Sequence, residues 1–564
     1  MNKFLVCLFA ALAGVGGTMP ALAQDSAAAI PTRVVIAPPQ SATARIIKDA
    51  LSSAYYGAAK GGTAYGEAQK LYFFYGERHF EPIWLTQAPS GDVAFSASAQ
   101  KILKLFLQAG AEGLRPGDYL TPDLDVAGAK GDPLKMAALE TAFSAAAMRY
   151  ASDIYTGRIR PMSISENLDI QPKNLDQSAL MLKLAASDDP GAVLAALEPT
   201  HPEFLALKAA LATFDDGSVT QPVTIPAGVT LKPGMTDDRV PLLRQRFELI
   251  AVPDTLYDDM LVEAIKTFQA SLGLTTDGVM GPATVAALNG GSAITRADIV
   301  ANMERWRWMP RDLGAFNVLV NLPEYRLAIN RDGKEVYTTR VVIGATAHQT
   351  PIFSDAIRHI VVNPYWNVPA SIIANEIAPK TRANPGYIAS QNMDLLYNGN
   401  VVSASSVDWL AVGNSFPFRV RQRPGAGNAL GQIKFLFPNK HDVYLHDTPS
   451  KSLFARDYRA YSHGCIRVQN PMDFADALMA NETTITRASL EAMFGTRETW
   501  VNPEHQIPVH LAYFTLRVEP DGSLRSFGDV YGHNARLIEA MGLNSPTTLA
   551  PPAPVSIEDT TLSP

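Results

Sequence analysis

The sequence predicts a multidomain α+β protein with a mainly helical N-terminal region, a small helical module and a mostly-β C-terminal region. The 564 residues are too many for one ordinary hydrophobic core, so several domains are expected. Apolar residues recur at helical spacing over about 46–217 and again over 234–290. From about 315 onward they follow the spacing of short strands instead.

The composition is that of a globular protein and argues against nucleic-acid binding. Hydrophobic residues make up 47% of the chain and charged residues 18%, with a mean hydropathy near zero. The net charge of −7 is mild for this length, whereas a nucleic-acid-binding surface should be basic. We therefore predict no nucleic-acid partner.

Residues 1–23 have the pattern of a cleavable signal peptide. Lys3 supplies a positive charge, residues 4–16 are almost wholly apolar, and Ala21-Leu22-Ala23 fits a cleavage site. The apolar run is shorter than the ~20 residues that a membrane helix needs. We expect an exported protein; an uncleaved anchor is the alternative.

Segments of biased composition lie on both sides of the predicted helical region. Residues 24–45 are rich in Ala and Pro and are expected to be poorly ordered, as is the Pro-, Thr- and Ser-rich tail at 545–564. Within 46–217, Ile102, Leu105 and Phe106 lie at helical spacing. A linker rich in Thr, Val and Pro follows at 218–233.

The segment 234–290 is predicted to be a compact helical module. Leu261, Ile265 and Phe268 form one apolar helix face, and Asp277-Gly278 makes a turn. The run "AIKTFQASLGLTTDGVMGPATVAAL" resembles the signature of the small three-helix peptidoglycan-binding module. A generic helical hairpin is the alternative.

The C-terminal region, 300–540, contains short β-branched or aromatic runs separated by turn residues. Examples are "FNVLVNLPEYRLAI", "TTRVVIGAT" and "DVYLHDT". The part at about 370–420 is less regular and interrupts the strands. We predict that it is an inserted subdomain.

Cys465 is the most informative residue of this region. The chain has two cysteines, and Cys7 lies in the predicted signal peptide. Exported proteins normally use cysteines in pairs, so a lone thiol suggests a reactive group or an intermolecular partner. A buried structural cysteine is the alternative, but the neighbours Ser462, His463 and Arg467 are polar.

A thiol has a pKa of ~8.5 and needs a base to attack near neutral pH. His463 and His446 are both candidates, and His446 is the better-fixed one because it ends a predicted strand. Asp447 could orient His446 through its carboxylate or its backbone carbonyl. Gly464 would let the backbone turn sharply, so that the N–H groups of Gly464 and Cys465 could hold an oxyanion.

A zinc site is the rival interpretation of these residues. His446, His463 and Cys465 are all legitimate zinc ligands, but they lack the usual tight spacing and a clear fourth ligand. We predict no metal and no cofactor.

The motif resembles that of YkuD-type L,D-transpeptidases. His446, about fifteen further residues and then "SHGCIR" match the family pattern of a His followed by Ser/Thr-His-Gly-Cys. The stretches "NMERWRWMP", "NPYWNVPASI" and "NALGQIKFLFPNK" resemble the large multidomain Gram-negative branch. That branch combines a helical scaffold domain, a peptidoglycan-binding module and a catalytic domain with an inserted cap. Arg467 departs from some relatives, which carry Asn there.

The resemblance implies a periplasmic enzyme that forms 3→3 peptidoglycan cross-links. Cys465 would attack the third residue of a tetrapeptide stem, release D-Ala and form a thioester, which the side-chain amine of a second stem would then attack. His446 would be the general acid and base, and His463 and Gly464 would shape the oxyanion site.

Four further residues are predicted to line the substrate site. Ser462 and Arg467 would position the turn or a substrate carboxylate. Tyr365 and Trp366 would form substrate walls, with plain core packing as the alternative.

Other functions remain open at this point. Water could resolve the thioester, which would make the protein an L,D-carboxypeptidase or endopeptidase, or the chain could be a non-catalytic peptidoglycan-binding scaffold. Transfer of a stem to an outer-membrane protein is a further possibility. The helical region could also bind cell-wall synthesis proteins.

Overall fold

The computed structural model describes most of the chain between residues 36 and 543. The main described ranges are 36–214, 228–247, 254–271, 274–281, 294–412, 416–480, 484–495 and 497–543. The predicted signal peptide, most of the 24–45 segment and the 545–564 tail lie outside the described residues. Within the described ranges, no helix has both the length and the apolar character that a bilayer crossing requires.

The N-terminal region is helical, with a core of its own. Its helices are α1 Ala42–Gly57, α2 Thr63–Gly76, α3 Ala97–Leu107, α4 Pro133–Thr156, α5 Pro161–Ile164, α6 Gln177–Ala186, α7 Pro190–Ala195 and α8 Pro202–Thr213, with a hairpin of β1 Leu85–Gln87 and β2 Val93–Phe95. Helix α1 starts inside the segment expected to be poorly ordered. That boundary was wrong because Ser41 caps the helix by accepting the Ala44 N–H.

The small module contains α9 Val240–Arg246 and α10 Asp259–Ser271. Leu261 and Ile265 are buried in its core, as the helical spacing predicts. Ile225 and Leu231 are fully buried there as well. Both lie in the predicted linker, so the module starts earlier than expected: its core needs these two apolar residues to close it. Thr275 then joins the module to the C-terminal region, because its N–H and hydroxyl donate to Asp457.

The C-terminal region is built on a curled sheet. Its strands are β3 Phe316–Asn321, β4 Arg326–Arg331, β5 Lys334–Gly344, β6 Ser354–Ile357, β7 His359–Val362, β8 Trp366–Asn367, β9 Met393–Tyr397, β10 Asn400–Val402, β11 Arg419–Gln422, β12 Ile433–Leu436, β13 Leu445–His446, β14 Ala460–Ser462, β15 Ile466–Val468, β16 Thr499–Val501, β17 Ile507–Ala512, β18 Leu516–Val518 and β19 Leu524–Ser526. The large sheet has the order β16-β7-β12-β13-β15-β5-β4-β3-β17-β6, with β14 beside β5.

Short helices accompany the sheet. They are α11 Arg296–Trp308, α12 Ala370–Ile372, α13 Ala378–Ala383, α14 Gly386–Ser390, α15 Trp409–Val412, α16 Pro471–Leu478, α17 Arg487–Glu491 and α18 His533–Ala540. A helical N-terminal region followed by a mostly-β curled sheet confirms the predicted multidomain α+β fold class.

A small unit with its own core stands where the inserted subdomain is predicted. Strands β8 to β11 form a separate sheet in the order β10-β9-β11-β8, and Val368, Leu395 and Val420 are buried against it. Helices α12 and α13 are joined by the π-helical segment Ile373–Ile377. We call the unit from β8 to β11 the cap.

The N-terminal region is continuous with the large sheet. Leu168 bridges Ile352, and the Ile352 N–H donates to the Asn167 carbonyl at 2.7 Å. The Asp169 carboxylate pairs with Lys440 and His441, each at 2.8 Å. The helical region therefore supports two loops of the C-terminal region.

A buried amide fastens helix α11 to the strands behind it. Asn302 is fully buried, donates to Asp298 and Thr515, and accepts the N–H groups of Thr515 and Leu516.

We expect Asn302→Ala to lower the free energy of unfolding by about 2–4 kcal/mol, because two buried N–H groups lose their acceptor. Urea unfolding followed by tryptophan fluorescence measures the change. The exposed Asn400→Ala is the control, and equal stability of both variants would contradict the assignment.

Candidate active site

The pairing of β13 with β15 brings the predicted nucleophile and base to one face of the sheet. The two strands are parallel, with Leu445 opposite Ile466 and His446 opposite Arg467. The Ile466 N–H donates to the Tyr444 carbonyl, so Cys465 lies beside Tyr444. Because side chains alternate along a strand, Cys465 and Arg467 share a face with Tyr444 and His446.

The His446 ring is held in one orientation by the backbone that follows it. Its Nδ1 donates to the carbonyl oxygen of Asp447, which leaves Nε2 as a hydrogen-bond acceptor. The side chain is buried, and burial together with the positive charges of Arg467 and Lys434 lowers the pKa of His446 to about 3. The imidazole is therefore neutral near pH 7 and able to take a proton at Nε2.

The Cys465 thiol is free and half-buried. Its Sγ donates to the Asp442 carbonyl at 3.7 Å. Burial raises the pKa of Cys465 to about 11, while hydrogen bonds from the backbone and hydroxyl of Tyr444 and the charge of Arg467 act in the opposite direction. The site thus holds a neutral thiol and a neutral imidazole rather than a preformed ion pair.

The turn before Cys465 is held by side-chain hydrogen bonds. Gly464 has φ +111°, a conformation that L side chains rarely adopt, and its carbonyl accepts the Thr350 hydroxyl at 2.8 Å. The Ser462 hydroxyl donates to the Cys465 carbonyl and accepts the Gly464 N–H.

The structure corrects one prediction for this turn and favours one of two alternatives for another. The Gly464 N–H is already bound to Ser462, so it is not free for an oxyanion as expected. Ser462 is buried and positions the turn, which is the first of the two roles predicted for it. Within the described residues, the Cys465 N–H has no hydrogen-bond partner and remains available to an oxyanion.

His463 points to the cap rather than to the thiol. Its Nε2 lies 2.8 Å from Glu376, in the π-helical segment of the cap, and its ring stacks on His348 with centroids 4.7 Å apart. His463 therefore connects the nucleophile turn to the cap. In the described part of the chain, no group of three or more His, Cys, Asp or Glu side chains could hold a metal ion.

Asp447 orients His446 through its carbonyl, and its carboxylate has another task. Oδ1 pairs with Lys451 at 2.6 Å, and Oδ2 accepts the Gln432 N–H at 3.0 Å. The carboxylate lies against Gly431, where a Cβ would overlap it. The carboxylate thus fixes the backbone that presents the carbonyl to His446.

Tyr365 and Trp366 lie where the large sheet passes into the cap. Trp366 packs against the cap core, which favours the plain core alternative over a substrate wall. The Tyr365 ring stacks under the Arg421 guanidinium, whose Cζ is 4.3 Å from the ring centroid. The structure shows no contact of either ring with Cys465 or His446 among the described residues.

Comparisons with known families follow the same division of the chain. Residues 69–211 match the model described as "Scaffold domain", and residues 242–288 match "Putative peptidoglycan binding domain". Residues 316–486, which contain both Cys465 and His446, match "L,D-transpeptidase catalytic domain". The chain carries a YkuD L,D-transpeptidase catalytic domain.

A bacterial relative matches part of the chain. A Haemophilus influenzae protein named "Putative L,D-transpeptidase" is 37% identical over 222 residues, which are 39% of this chain. The match spans 45% of the length of that relative, which is less than half.

Two solved structures are also similar. The L,D-transpeptidase from Mycobacterium smegmatis is 10% identical, with a TM-score of 0.18, over 35% of this chain and 58% of its own. An L,D-transpeptidase from Xylanimonas cellulosilytica is 17% identical, with a TM-score of 0.14. This match covers 51% of this chain and 98% of the Xylanimonas chain.

Three residues of the L,D-transpeptidase domain were missed from the sequence. Tyr444 contacts the thiol, Gly431 makes room for the Asp447 carboxylate, and Lys434 lies opposite His446 on β12. Tyr444 could have been found because it is two residues before His446 and so shares its face. Lys434 and Gly431 become visible only when β12 is paired with β13.

We expect the alkylation of Cys465 by iodoacetamide to rise about tenfold per pH unit from about pH 7 to about pH 10 without a plateau. Only the thiolate reacts, and the pKa of Cys465 is about 11 rather than the usual value. Mass spectrometry measures the modified fraction, and circular dichroism at each pH monitors the fold. Cys465→Ser is the control, and a plateau at about pH 9 or below would show a thiol with an ordinary or lowered pKa instead.

Replacing Gly431 by Ala should disturb His446 at a distance. The new Cβ meets the Asp447 carboxylate and the backbone has φ +62°, so we expect a loss of about 1–3 kcal/mol in unfolding free energy. Nitrogen NMR of the imidazole should show that the single Nδ1–H tautomer of His446 is lost. Gly427→Ala is the matched control, since a Cβ there meets nothing within 4 Å. An unchanged tautomer in Gly431→Ala would refute the orienting role of Asp447.

Proposed function

We propose that the chain is an L,D-transpeptidase that forms 3→3 cross-links in peptidoglycan through a Cys465 thioester. One observation carries the proposal: β13 and β15 place Cys465 and the free Nε2 of His446 on one face, inside a domain that matches the L,D-transpeptidase model. The module at 242–288 supports peptidoglycan as the substrate.

Acylation begins from the neutral pair. As Sγ attacks the carbonyl carbon of the third stem residue, the thiol proton passes to Nε2 of His446. The carbonyl oxygen becomes an oxyanion, which the Cys465 N–H can bind. The imidazolium then returns the proton to the nitrogen of the departing D-Ala, the C–N bond breaks, and a thioester remains.

Deacylation reverses these roles with a new nucleophile. His446 takes a proton from the side-chain amine of a second stem as that nitrogen attacks the thioester carbonyl. The C–S bond breaks and the thiolate takes the proton back from His446. The product is an amide between the third residues of two stems, and the enzyme is restored.

A resting thiol with a raised pKa suits this order of events. The thiolate forms only when a carbonyl is present to accept its electrons, which protects the group from oxidation and alkylation. Arg467 supports the step because its charge lowers the pKa of Cys465 and stabilises the developing anion.

The other two domains serve delivery and support in this proposal. The peptidoglycan-binding module contacts Asp457, in the loop that leads into β14 and the nucleophile turn. A peptidoglycan strand held by the module would therefore lie near the Cys465 thiol. We further propose that the protein acts in the periplasm after export, and that the helical region can bind cell-wall synthesis proteins.

The decisive experiment is incubation of the protein with disaccharide tetrapeptide, followed by mass spectrometry. We expect a cross-linked dimer and free D-Ala. Cys465→Ala should reduce the rate by about 10³-fold or more, and His446→Gln by about 10²–10⁴-fold, because both take part in bond changes. His505→Gln, an exposed site, is the control for loss of a histidine.

The alternatives give different products in the same assay. Tripeptide without dimer would show that water is the acceptor, as in a carboxypeptidase. Unchanged substrate would favour a non-catalytic binding protein. Dimer formation by Cys465→Ala would exclude the thioester.

A further inference from the structure

A row of side chains crosses the sheet at the level of His446. Hydrogen-bonded pairing aligns Trp500 of β16 with Val361 of β7, Val361 with Lys434 of β12, and Lys434 with His446 of β13. Residues that are directly opposite one another point to the same face of a sheet. The ammonium of Lys434 therefore belongs to the face that carries His446 and, diagonally, Cys465.

Lys434 is a mostly buried side chain whose ammonium has no paired anion among the described residues. The residue as a whole is 9% exposed, but its Nζ is not fully enclosed, and within the described part of the chain it makes no hydrogen bond and no ion pair. Burial lowers the pKa of Lys434, while the charges of Glu498 and of the Cys465 thiolate act in the opposite direction. Glu498 itself accepts the Tyr365 N–H at 2.9 Å.

Two aromatic rings hold the ammonium in place. Its Nζ is 5.7 Å from the centroid of Tyr444, which also contacts the thiol, and 5.8 Å from the centroid of Trp500. Trp500 is 54% exposed on the edge strand, so it forms an outer wall that a ligand can reach. Ring faces stabilise a cation but leave its donors unused.

An ammonium that is partly removed from water and lacks a protein acceptor favours a ligand that supplies one. Arg467 adds a second positive charge on the other side of His446, which disfavours a cationic ligand. A carboxylate supplies acceptor oxygens and carries the opposite charge. Stem peptides carry free carboxylates on the diamino acid and on the terminal D-Ala.

We propose that Lys434, between Tyr444 and Trp500, binds a carboxylate of the donor stem. This inference rests on the proposed function and names a substrate-binding residue for it. Lys434 thus fixes the stem beside His446, and Trp500 closes the site from the solvent side. Neutral acyl groups without this carboxylate should enter the site poorly.

Equilibrium binding tests the proposal without turnover. Calorimetry in the Cys465→Ala background compares a tetrapeptide stem with two stems amidated at either the diamino acid or the terminal carboxylate. We expect Lys434→Met to weaken binding of the free acid about 10- to 100-fold, as for a lost hydrogen bond to a charged group. One of the amides should bind the parent and the Lys434→Met protein equally weakly, which identifies the carboxylate.

Two further variants control for charge and folding. Lys334→Met removes an exposed positive charge at the start of β5, about 26 Å along the strand from Val342, and should leave binding unchanged. Lys434→Arg keeps the charge and should bind within a few-fold of the parent, and thermal unfolding checks that each variant is folded.

The outcomes separate this inference from the proposed function. If Lys434→Met binds the free acid as tightly as the parent, or if both amides respond to the substitution as the acid does, the subsite is refuted and the proposed function stands. If the Cys465→Ala protein binds no stem at all, both are refuted.

Discussion

The parallel pairing of β13 with β15 is the constraint on which the active site depends. These are short strands, and each contributes only a few ladder bonds, yet their register decides which residues meet. A slip by one residue would turn His446 to the opposite face from Cys465. Flanking strands β12 and β5 make such a slip costly, because each is in turn paired to the rest of the sheet. Catalytic geometry is therefore a property of the whole sheet.

Hydrogen bonds around the strand ends fix the orientation of the side chains that the strand register brings together. The Asp447 carbonyl selects the tautomer of His446, and the Asp447 carboxylate is held by Lys451 and the Gln432 N–H. On the other strand, Ser462 and Thr350 close the turn that presents Cys465. Each residue acts on the backbone rather than on a substrate. The motif therefore contains more residues than those that take part in the bond changes.

Much of this site was visible in the sequence, and the remainder has physical reasons for being hidden. The lone Cys465 and the strand-borne His446 follow from cysteine usage, strand periodicity and a family resemblance. Whether Asp447 acts by carboxylate or carbonyl depends on Gly431 and Lys451, whose positions require the fold. Gly464 was expected to offer its N–H because a glycine turn suggests it, but Ser462 competes for that donor. Lys434 belongs to no sequence motif, and only the pairing of β12 with β13 shows that it lies beside His446.

The nucleophile turn is connected to distant segments of the chain. Gly464 is bound to Thr350, 114 residues away, and the loop that holds Thr350 is tied to the helical region by Asn167 and Gln349, 182 residues apart. Contacts between such remote positions carry the entropy cost of closing long loops. The turn that presents the thiol is therefore supported by a loop that the helical region contacts. A fragment that holds the whole motif but lacks Asn167 would lose part of the support for that turn.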